Sequence, residues 1–246
     1  MIVNRNKNGL SIIYHAAHGL LAGKIANQID CKYKPEPWFE SLVAVTEHDD
    51  RQLNFEEKSY LSEVGIPLDF TEEQPTIHEI LKRMKQVIIS TKNKSSWTRL
   101  LVSYHIEFLY GKLQSESKKI SSFFKTESIA RKAIHELYDC SDKKARESYE
   151  FLRFCDRLSL ILCHNKVPEQ GRKLEINRSI SNKRFFIYKL ENDTLSVKPW
   201  LFEADSFKLS VEKRSMDYSY FSSEQEFETT LNNCSPTLLK WQFNKG

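Results

Sequence analysis

Two adjacent residues, His48 and Asp49, have side chains whose types and placement could do chemistry. They follow the apolar segment 38–46, which predicts a short helix. At helical spacing one face carries Trp38, Leu42, Val45 and Asp49. A carboxylate on a face that packs inward costs several kcal/mol unless something compensates its charge. A bound cation is the simplest compensation, and imidazole and carboxylate groups are suitable ligands for one.

Three further polar residues fall on apolar faces of predicted helices. His18 shares a face with leucine, alanine and isoleucine residues in a helix over 15–29, and His105 lies on the apolar face of a helix capped by Ser95 or Ser96. Asp156 lies on the apolar stripe of a long helix from Ser141 to about His164. His15 is a fifth candidate and would lie at the mouth of the cleft that these side chains form. We expect these side chains to meet within about 10 Å, because metal–ligand bonds are only about 2 Å long.

Each of these residues also has an ordinary structural explanation. A histidine on an apolar stripe is often a hydrogen-bonded core residue, and Asp49 with Asp50 could simply end a helix. Asp156 could pair with Arg153 or Arg157. These alternatives stay open at the level of sequence.

The elements around these residues predict an α+β fold with three parts. A β-hairpin over 1–14 turns at Asn6–Gly9 and is followed by a mainly α-helical bundle over 15–168. Period-two segments then predict an antiparallel β-sheet within 169–246, packed on the bundle and joined by the hairpin. Residues 51–76 contain Gly65, Pro67 and Pro75 and predict an ordered loop that is long enough to be functional or to cover a cleft.

Composition narrows the classes of function. The 246 residues are 40% hydrophobic and have a net charge of +4, which favours a globular domain and gives no case for a nucleic acid partner. No apolar run is long enough for a transmembrane helix, and the N-terminus lacks a signal-peptide pattern. Five cysteines without CxxC spacing favour a reducing cytoplasm. A small anionic substrate is compatible with this charge, and the sequence says nothing about oligomeric state.

The order of the candidates, a histidine, then His48-Asp49, then Asp156, resembles the HD superfamily of metal-dependent phosphohydrolases. The resemblance implies an HD-like helical bundle and a divalent metal ion (Mn, Fe, Mg or Zn) bound by His18, His48, Asp49 and Asp156. It implies hydrolysis of a phosphate ester or nucleotide by a water molecule that the metal activates. Asp49 and His105 would be the catalytic residues, and His105 would contact phosphate or a second metal.

A closer resemblance over about residues 1–165 is to a bacterial family catalogued as domain of unknown function 3891. The matching segments are Met1-Ile2-Val3, His18-x-x-Leu21-Ala22-Gly23, Glu47-His48-Asp49-Asp50, Leu100-Leu101-Val102-Ser103-x-His105 and Asp156-Arg157-Leu158-Ser159-Leu160. The chain has Asp50-Arg51-Gln52 where the family usually has Asp-x-Gly-Trp. It also has His15 and Ala17 where the family tends to have Gln and Asp.

These departures keep two other functions open. One is a non-catalytic binding or structural protein that keeps the fold and has lost activity. The other is an iron-dependent, oxygenase-type member of the superfamily, because iron accepts the same ligand types.

Overall fold

The computed structural model describes residues 1–7, 9–178 and 180–246 of the chain. Within these ranges, seven α-helices and seven β-strands form. The helices are α1 (His15–Gln28), α2 (Trp38–Glu47), α3 (Ile77–Lys92), α4 (Ser96–Tyr110), α5 (Lys118–Leu137), α6 (Asp142–Cys163) and α7 (Glu224–Asn233). The strands are β1 (Ile2–Asn6), β2 (Gly9–Ile13), β3 (Leu174–Arg178), β4 (Arg184–Lys189), β5 (Leu195–Lys198), β6 (Ser206–Met216) and β7 (Thr237–Asn244).

All seven strands belong to a single sheet, in the order β1-β2-β6-β7-β5-β4-β3. The N-terminal hairpin enters this sheet through β2, which pairs antiparallel with β6 from Leu10 opposite Met216. Most neighbouring strands run antiparallel, but β5 and β7 are parallel where Leu195 pairs with Phe243. The sheet therefore draws its strands from both ends of the chain.

This arrangement corrects the predicted fold class. The prediction of an HD-like helical bundle followed by a C-terminal antiparallel sheet is wrong, because the sheet includes the N-terminal strands, and helices α1 to α6 separate these from the later strands along the chain. The hairpin itself is confirmed, and so is its union with the later strands. The expected turn at Asn6–Gly9 includes Asn8, which lies outside the described residues. The boundaries 1–14, 15–168 and 169–246 stay a prediction.

The hairpin is integral to the sheet because both of its faces are apolar. Ile2 and Ile13 pack into the main core with the helices. Val3 and Ile12, which point the other way, pack into a second cluster with Phe227 of α7. A strand that is apolar on both faces must be covered on both sides, so it cannot remain a surface appendage.

Helices α1 and α2 approach each other very closely. A Cβ atom built on Gly19 of α1 would lie 2.3 Å from the backbone oxygen of Thr46, and one on Gly23 would lie 2.3 Å from the Thr46 Cγ2 atom. Both contacts are shorter than real Cβ atoms make. Glycine at these two positions therefore allows the C-terminal end of α2, and His48 just beyond it, to reach His18.

The loop over 51–76 is ordered and lies against the hairpin, as predicted. Phe70 donates its backbone N–H to the carbonyl oxygen of Met1, and Val3 donates its backbone N–H to the Asp69 carboxylate at 2.9 Å. At the end of the loop, Thr76 and Glu79 form a capping box that starts α3. These bonds fix the loop against the hairpin and to the start of α3.

Candidate metal centre

The structure brings the four predicted metal ligands together. Asp156 Oδ1 lies 3.2 Å from His48 Nε2 and 3.4 Å from His18 Nε2. Asp49 Oδ2 lies 3.9 Å from His18 Nε2. Among the described residues, two groups could hold a metal ion: His18, His48 and Asp49 form one, and His48, His105 and Asp156 form the other. Within each group the potential ligand atoms lie within 4.8 Å of one another.

A hydrogen-bond chain fixes the orientation of His18. The Ser159 hydroxyl donates to the backbone oxygen of Asp156 at 2.7 Å, so its oxygen accepts from His18 Nδ1, also at 2.7 Å. With its proton on Nδ1, the neutral ring carries a lone pair on Nε2. That nitrogen is fully buried and has no hydrogen-bond partner among the residues described. Its neighbours at contact distance are carboxylate oxygens, which have lone pairs and no proton to offer.

His48 is oriented by the same principle. A backbone oxygen can only accept, so His48 Nδ1 donates to the carbonyl oxygen of Val45 at 2.8 Å. Nε2 is therefore directed to Asp156, as in metal-ligating histidines whose other nitrogen is held by a carbonyl group. Burial lowers the pKa of His48, but Asp156 and Asp49 outweigh this effect and raise the pKa to about 9. Without a cation in the site, a proton on His48 takes over part of its role.

Asp49 has two different partners, one for each carboxylate oxygen. Arg83 of α3 makes a very short contact with Oδ1 and donates a second bond, of 2.9 Å, to the Tyr110 hydroxyl. Oδ2 lies 3.8 Å from His15 Nε2 and 3.9 Å from His18 Nε2. Burial alone would raise the pKa of Asp49, but Arg83 and the neighbouring histidines hold it well below its usual range. The carboxylate is therefore charged, with Oδ2 left to face the histidines.

His105 lies beside this centre on α4. Its ring centre is 4.9 Å from that of His48, and its Nδ1 lies 3.5 Å from the Tyr149 hydroxyl. Burial and the nearby His48 lower the pKa of His105 to about 4. His105 is therefore neutral near pH 7, which suits a metal ligand or a hydrogen-bond partner of substrate.

The centre opens into a cavity of about 250 Å³. Its polar lining includes His15, Asp49, His105, Asp156, Arg83 and Lys58. Its apolar lining includes Leu53, Phe70, Ile80, Leu109, Tyr110 and Leu160. The 51–76 loop contributes Gln52, Leu53, Lys58, Phe70, Glu73 and Pro75 to the lining.

The separations between the donor atoms fit a divalent cation. Bonds of about 2.1 Å place neighbouring ligands about 3 Å apart and opposite ligands about 4.2 Å apart. The distances of 3.2, 3.4 and 3.9 Å around His18, His48 and the two carboxylates fall in this range. Two neutral imidazoles and two carboxylates would also neutralise the charge of the ion.

The sequence predicted the residues of the centre, but it misplaced the end of one helix and did not indicate two cationic side chains. The predicted face with Trp38 and Asp49 does not extend that far, because α2 ends at Glu47 and Asp49 reaches the site from the following turn. Arg83 and Lys58 were not among the candidates. A signal for Arg83 exists, since it lies between Ile80 and Val87 on the buried stripe of α3. Lys58 lies in the loop, where no periodicity marks a residue as buried.

No helix in the described part of the chain is long and apolar enough to cross a membrane. No curated protein and no solved structure matches the chain significantly. One family model matches residues 1–218, a range that includes α1 to α6, every residue of the centre and most of the sheet. The chain therefore belongs to the family described as Protein of unknown function (DUF3891).

Proposed function

We propose that the protein is a metal-dependent hydrolase of phosphate esters. The observation that carries the proposal is the buried, unpartnered Nε2 of His18, which faces Asp156 and Asp49 at contact distance within the described residues. A buried polar atom without a partner costs about 1–3 kcal/mol. A divalent cation held by His18, His48 and Asp49 would satisfy the imidazole and one acid together, with Asp156 beside the site.

Two cationic side chains and the shape of the cavity support a phosphate ester as the substrate once a divalent cation is bound. Arg83 and Lys58 line the cavity, where they pair with Asp49 and Glu73, and guanidinium and ammonium groups are common partners of phosphate. The lining also contains Glu79 and Asp156, so the charge of the metal ion is needed to balance the four acids. Arg83 Nε is buried without a hydrogen-bond partner in the part of the chain that the structure describes, which leaves a donor for substrate. The apolar wall around Phe70 and Tyr110 suits the organic part of an ester.

The donor set narrows the choice of metal. Mg²⁺ prefers oxygen ligands and retains several waters, whereas two imidazole nitrogens favour Mn²⁺, Fe²⁺ or Zn²⁺. The bound ion would act as a Lewis acid and lower the pKa of a water molecule for attack on phosphorus. His18, His48, Asp49 and Asp156 would hold it. Arg83 would orient the phosphate, and neutral His105 would accept or donate a hydrogen bond at a phosphate oxygen.

Elemental analysis and turnover test the proposal together. Protein purified without chelator is analysed for bound metal, then assayed with phosphatase and phosphodiesterase substrates in the presence of Mn²⁺, Mg²⁺, Zn²⁺ or Fe²⁺. We expect stoichiometric metal and hydrolysis in the wild type, and loss of both in His18→Gln. His78→Gln is the matched control, because His78 is an exposed histidine outside the cavity lining. Wild-type protein with neither metal nor turnover would rule the proposal out.

A non-catalytic role is the second candidate, and the contact between Arg83 and Asp49 favours it. That ion pair already satisfies one oxygen of a proposed ligand, as a purely structural acid would require. The Asp50-Arg51-Gln52 segment, which departs from the usual family pattern, lies directly after it. In this case His18→Gln and wild type bind equally little metal.

A further inference from the structure

A surface groove runs between helices α3 and α5. Both helices pack on α4 and contact each other, and the space between them has a volume of about 880 Å³. None of the described residues lines both this groove and the cavity of the metal centre. The groove is therefore a separate feature of the fold, which the proposed function does not use.

Each wall of the groove is one face of a helix. On α3 the lining begins at His78 and continues at the i+3, i+4 and i+7 positions as far as Ile89. On α5 the same spacing begins at Lys119 and continues to Glu127. The α3 wall is about 16 Å long at about 1.5 Å per residue, which equals about three helical turns. The groove therefore has the length and shape to receive a short helix from another molecule.

Apolar side chains line the groove at several depths. Ile88 is buried, Leu81 and Phe123 are half-buried, and Ile89 is 59% exposed. Single exposed apolar residues are common on protein surfaces, but these four lie together in one concave place. A partner that covers them would remove a continuous apolar strip from water.

The rim of the groove is cationic. Lys82, Lys85 and Lys119 all line it. Lys82 pairs with Glu57 at 2.7 Å. Lys85 and Lys119 are exposed and form no ion pair with any residue that the structure describes. Two ammonium groups are therefore available to a partner at the edge of the apolar strip.

The charge of both walls has a single sign. Residues 80–92 and 118–126 contain four and three lysine or arginine residues respectively and no acid, although the net charge of the chain is only +4. Glu127, which also lines the groove, is buried, and both of its oxygens accept from Arg99. The groove therefore attracts anionic groups, and a cationic partner would be repelled.

We propose that the groove between α3 and α5 binds an acidic amphipathic helix of a partner protein. The apolar face of such a helix would cover Ile89 and Phe123, and carboxylates beside that face would pair with Lys85 and Lys119. A flat bilayer surface cannot follow a groove between two helices, and a nucleic acid backbone has no apolar face to bury. The binding surface goes beyond the proposed function and does not depend on it.

Three designed helical peptides of equal length test the proposal. The first carries leucines on one face and glutamates beside them, the second has lysines in place of the glutamates, and the third has serines in place of the leucines. Each peptide is labelled with fluorescein, and its fluorescence anisotropy is measured with the full chain. We expect a Kd on the order of 10 µM for the first peptide and values at least about tenfold higher for the other two.

Charge reversal separates binding from a structural role. Lys85→Glu combined with Lys119→Glu should weaken the acidic peptide by about tenfold or more and should allow the basic peptide to bind. The matched control combines Lys143→Glu with Lys240→Glu, because both are exposed lysines outside the groove. This control should change neither affinity. Ile89→Ser should weaken the acidic peptide as well, because it removes an exposed apolar contact.

Two results would overturn the proposal. One is the absence of measurable binding of the acidic peptide to wild type, and the other is equal binding of that peptide to the two double variants. Cosedimentation with vesicles of phosphatidylcholine and phosphatidylserine is measured in parallel. Vesicle binding that the groove variant abolishes, without peptide binding, would assign the groove to an anionic membrane instead.

Discussion

Two buried polar regions on opposite sides of α4 are built in different ways. Between α4 and α5, Arg131 uses all three of its nitrogens, donating to the Ser103 hydroxyl, the Ser103 backbone oxygen and Glu107. Nearby, Arg99 donates twice to the buried carboxylate of Glu127, at 2.7 and 3.3 Å. Arg131, Arg99 and Glu127 therefore each have charged or polar protein partners.

The metal centre is equally buried but is not complete in itself. The Nε2 atoms of His15 and His18 have no hydrogen-bond partner in the described ranges, although carboxylate oxygens lie close to both. The same fold provides partners for Arg99 and Arg131 in the interface between α4 and α5, but among the described residues it provides none for the two Nε2 atoms in the metal centre. The difference indicates that the interface stabilises the fold, whereas the centre keeps its groups available for a ligand.

The largest effect on stability is expected from breaking the charge-paired interface between α4 and α5. Glu127→Ala leaves Arg99 without its carboxylate partner in a mostly buried place, which should cost about 3–5 kcal/mol of unfolding free energy. Chemical denaturation measures the loss, and the metal content of the folded fraction should not change. A loss below about 1 kcal/mol would show that this interface is not the structural counterpart of the metal centre.

A smaller effect on stability is expected from Asp49→Asn. In the presence of chelator, Arg83 loses a charged acceptor, which should cost about 1.5–3 kcal/mol. Without chelator the variant should bind no metal, because an amide is a poorer ligand than a carboxylate. Arg83→Met is the matched control, which should lose similar stability and still bind metal. A wild type whose unfolding ignores chelator, together with a large loss in Asp49→Asn, would make Asp49 a structural acid only.

Gly19→Ala tests whether the distance between His18 on α1 and His48 after α2 depends on the close packing of these two helices. The added Cβ would meet the Thr46 backbone oxygen at 2.3 Å, so α2 must move away from α1. Overpacking of this kind costs about 1–3 kcal/mol, and it should also weaken metal affinity by separating His18 from His48. Gly111→Ala is the control, since its Cβ would meet nothing closer than 3.5 Å. Equal metal affinity in the two variants would contradict the role given to Gly19.

The pH dependence of stability in chelator should be shallow, with a slope of at most about 1.4 kcal/mol per pH unit for each group. The pKa of His48 is raised from 6.5 to about 9, so its contribution is complete below pH 6.5 and is lost as the pH rises to 9. The pKa of His105 is lowered to about 4, so its contribution is present above pH 6.5 and is lost as the pH falls to 4. Stability from these two groups therefore peaks near pH 6.5.

Thermal unfolding of the chelated protein across this range measures the effect. His48→Gln should remove the decline between pH 6.5 and 9, and it should make the loss on the acid side smaller, because His48 contributes to the lowered pKa of His105. A decline of equal steepness in the variant would assign it to another group.

The sequence was most informative where short-range order determines structure. Ser95 and Ser141 were identified as helix starts, and they accept hydrogen bonds from the first turns of α4 and α6. His18 and Asp156 were found because a 3.6-residue period puts them among buried neighbours. The position of Asp49 was less predictable, because α2 stops at Glu47 and the chain then turns, with Arg51 at a φ of 59°. No local signal in an apolar segment indicates the residue at which its helix ends.

Partners that meet only in the folded chain could not be predicted. Arg83 contacts Asp49 although 34 positions of sequence separate them, and the sequence around each residue does not indicate the other as its partner. The pairing of β2 with β6 is a still longer connection, and the period-two pattern that identifies a strand does not specify its neighbour. The error in fold class has this cause: the strands and the joining of the hairpin to the sheet were predicted, but the order of the seven strands in one sheet was not.

The pairing of β2 with β6 also affects the order in which the chain folds. Helices α1 to α6 connect the two strands, so the loop that closes between Leu10 and Met216 spans most of the protein. Closing such a loop is slow and entropically costly, so the helices and the cluster that they carry should assemble before the sheet is complete. A nascent or truncated chain that stops before residue 206 would expose the edge of β2. Such an edge recruits strands from other chains, so the last strands protect the molecule from aggregation as much as they stabilise it.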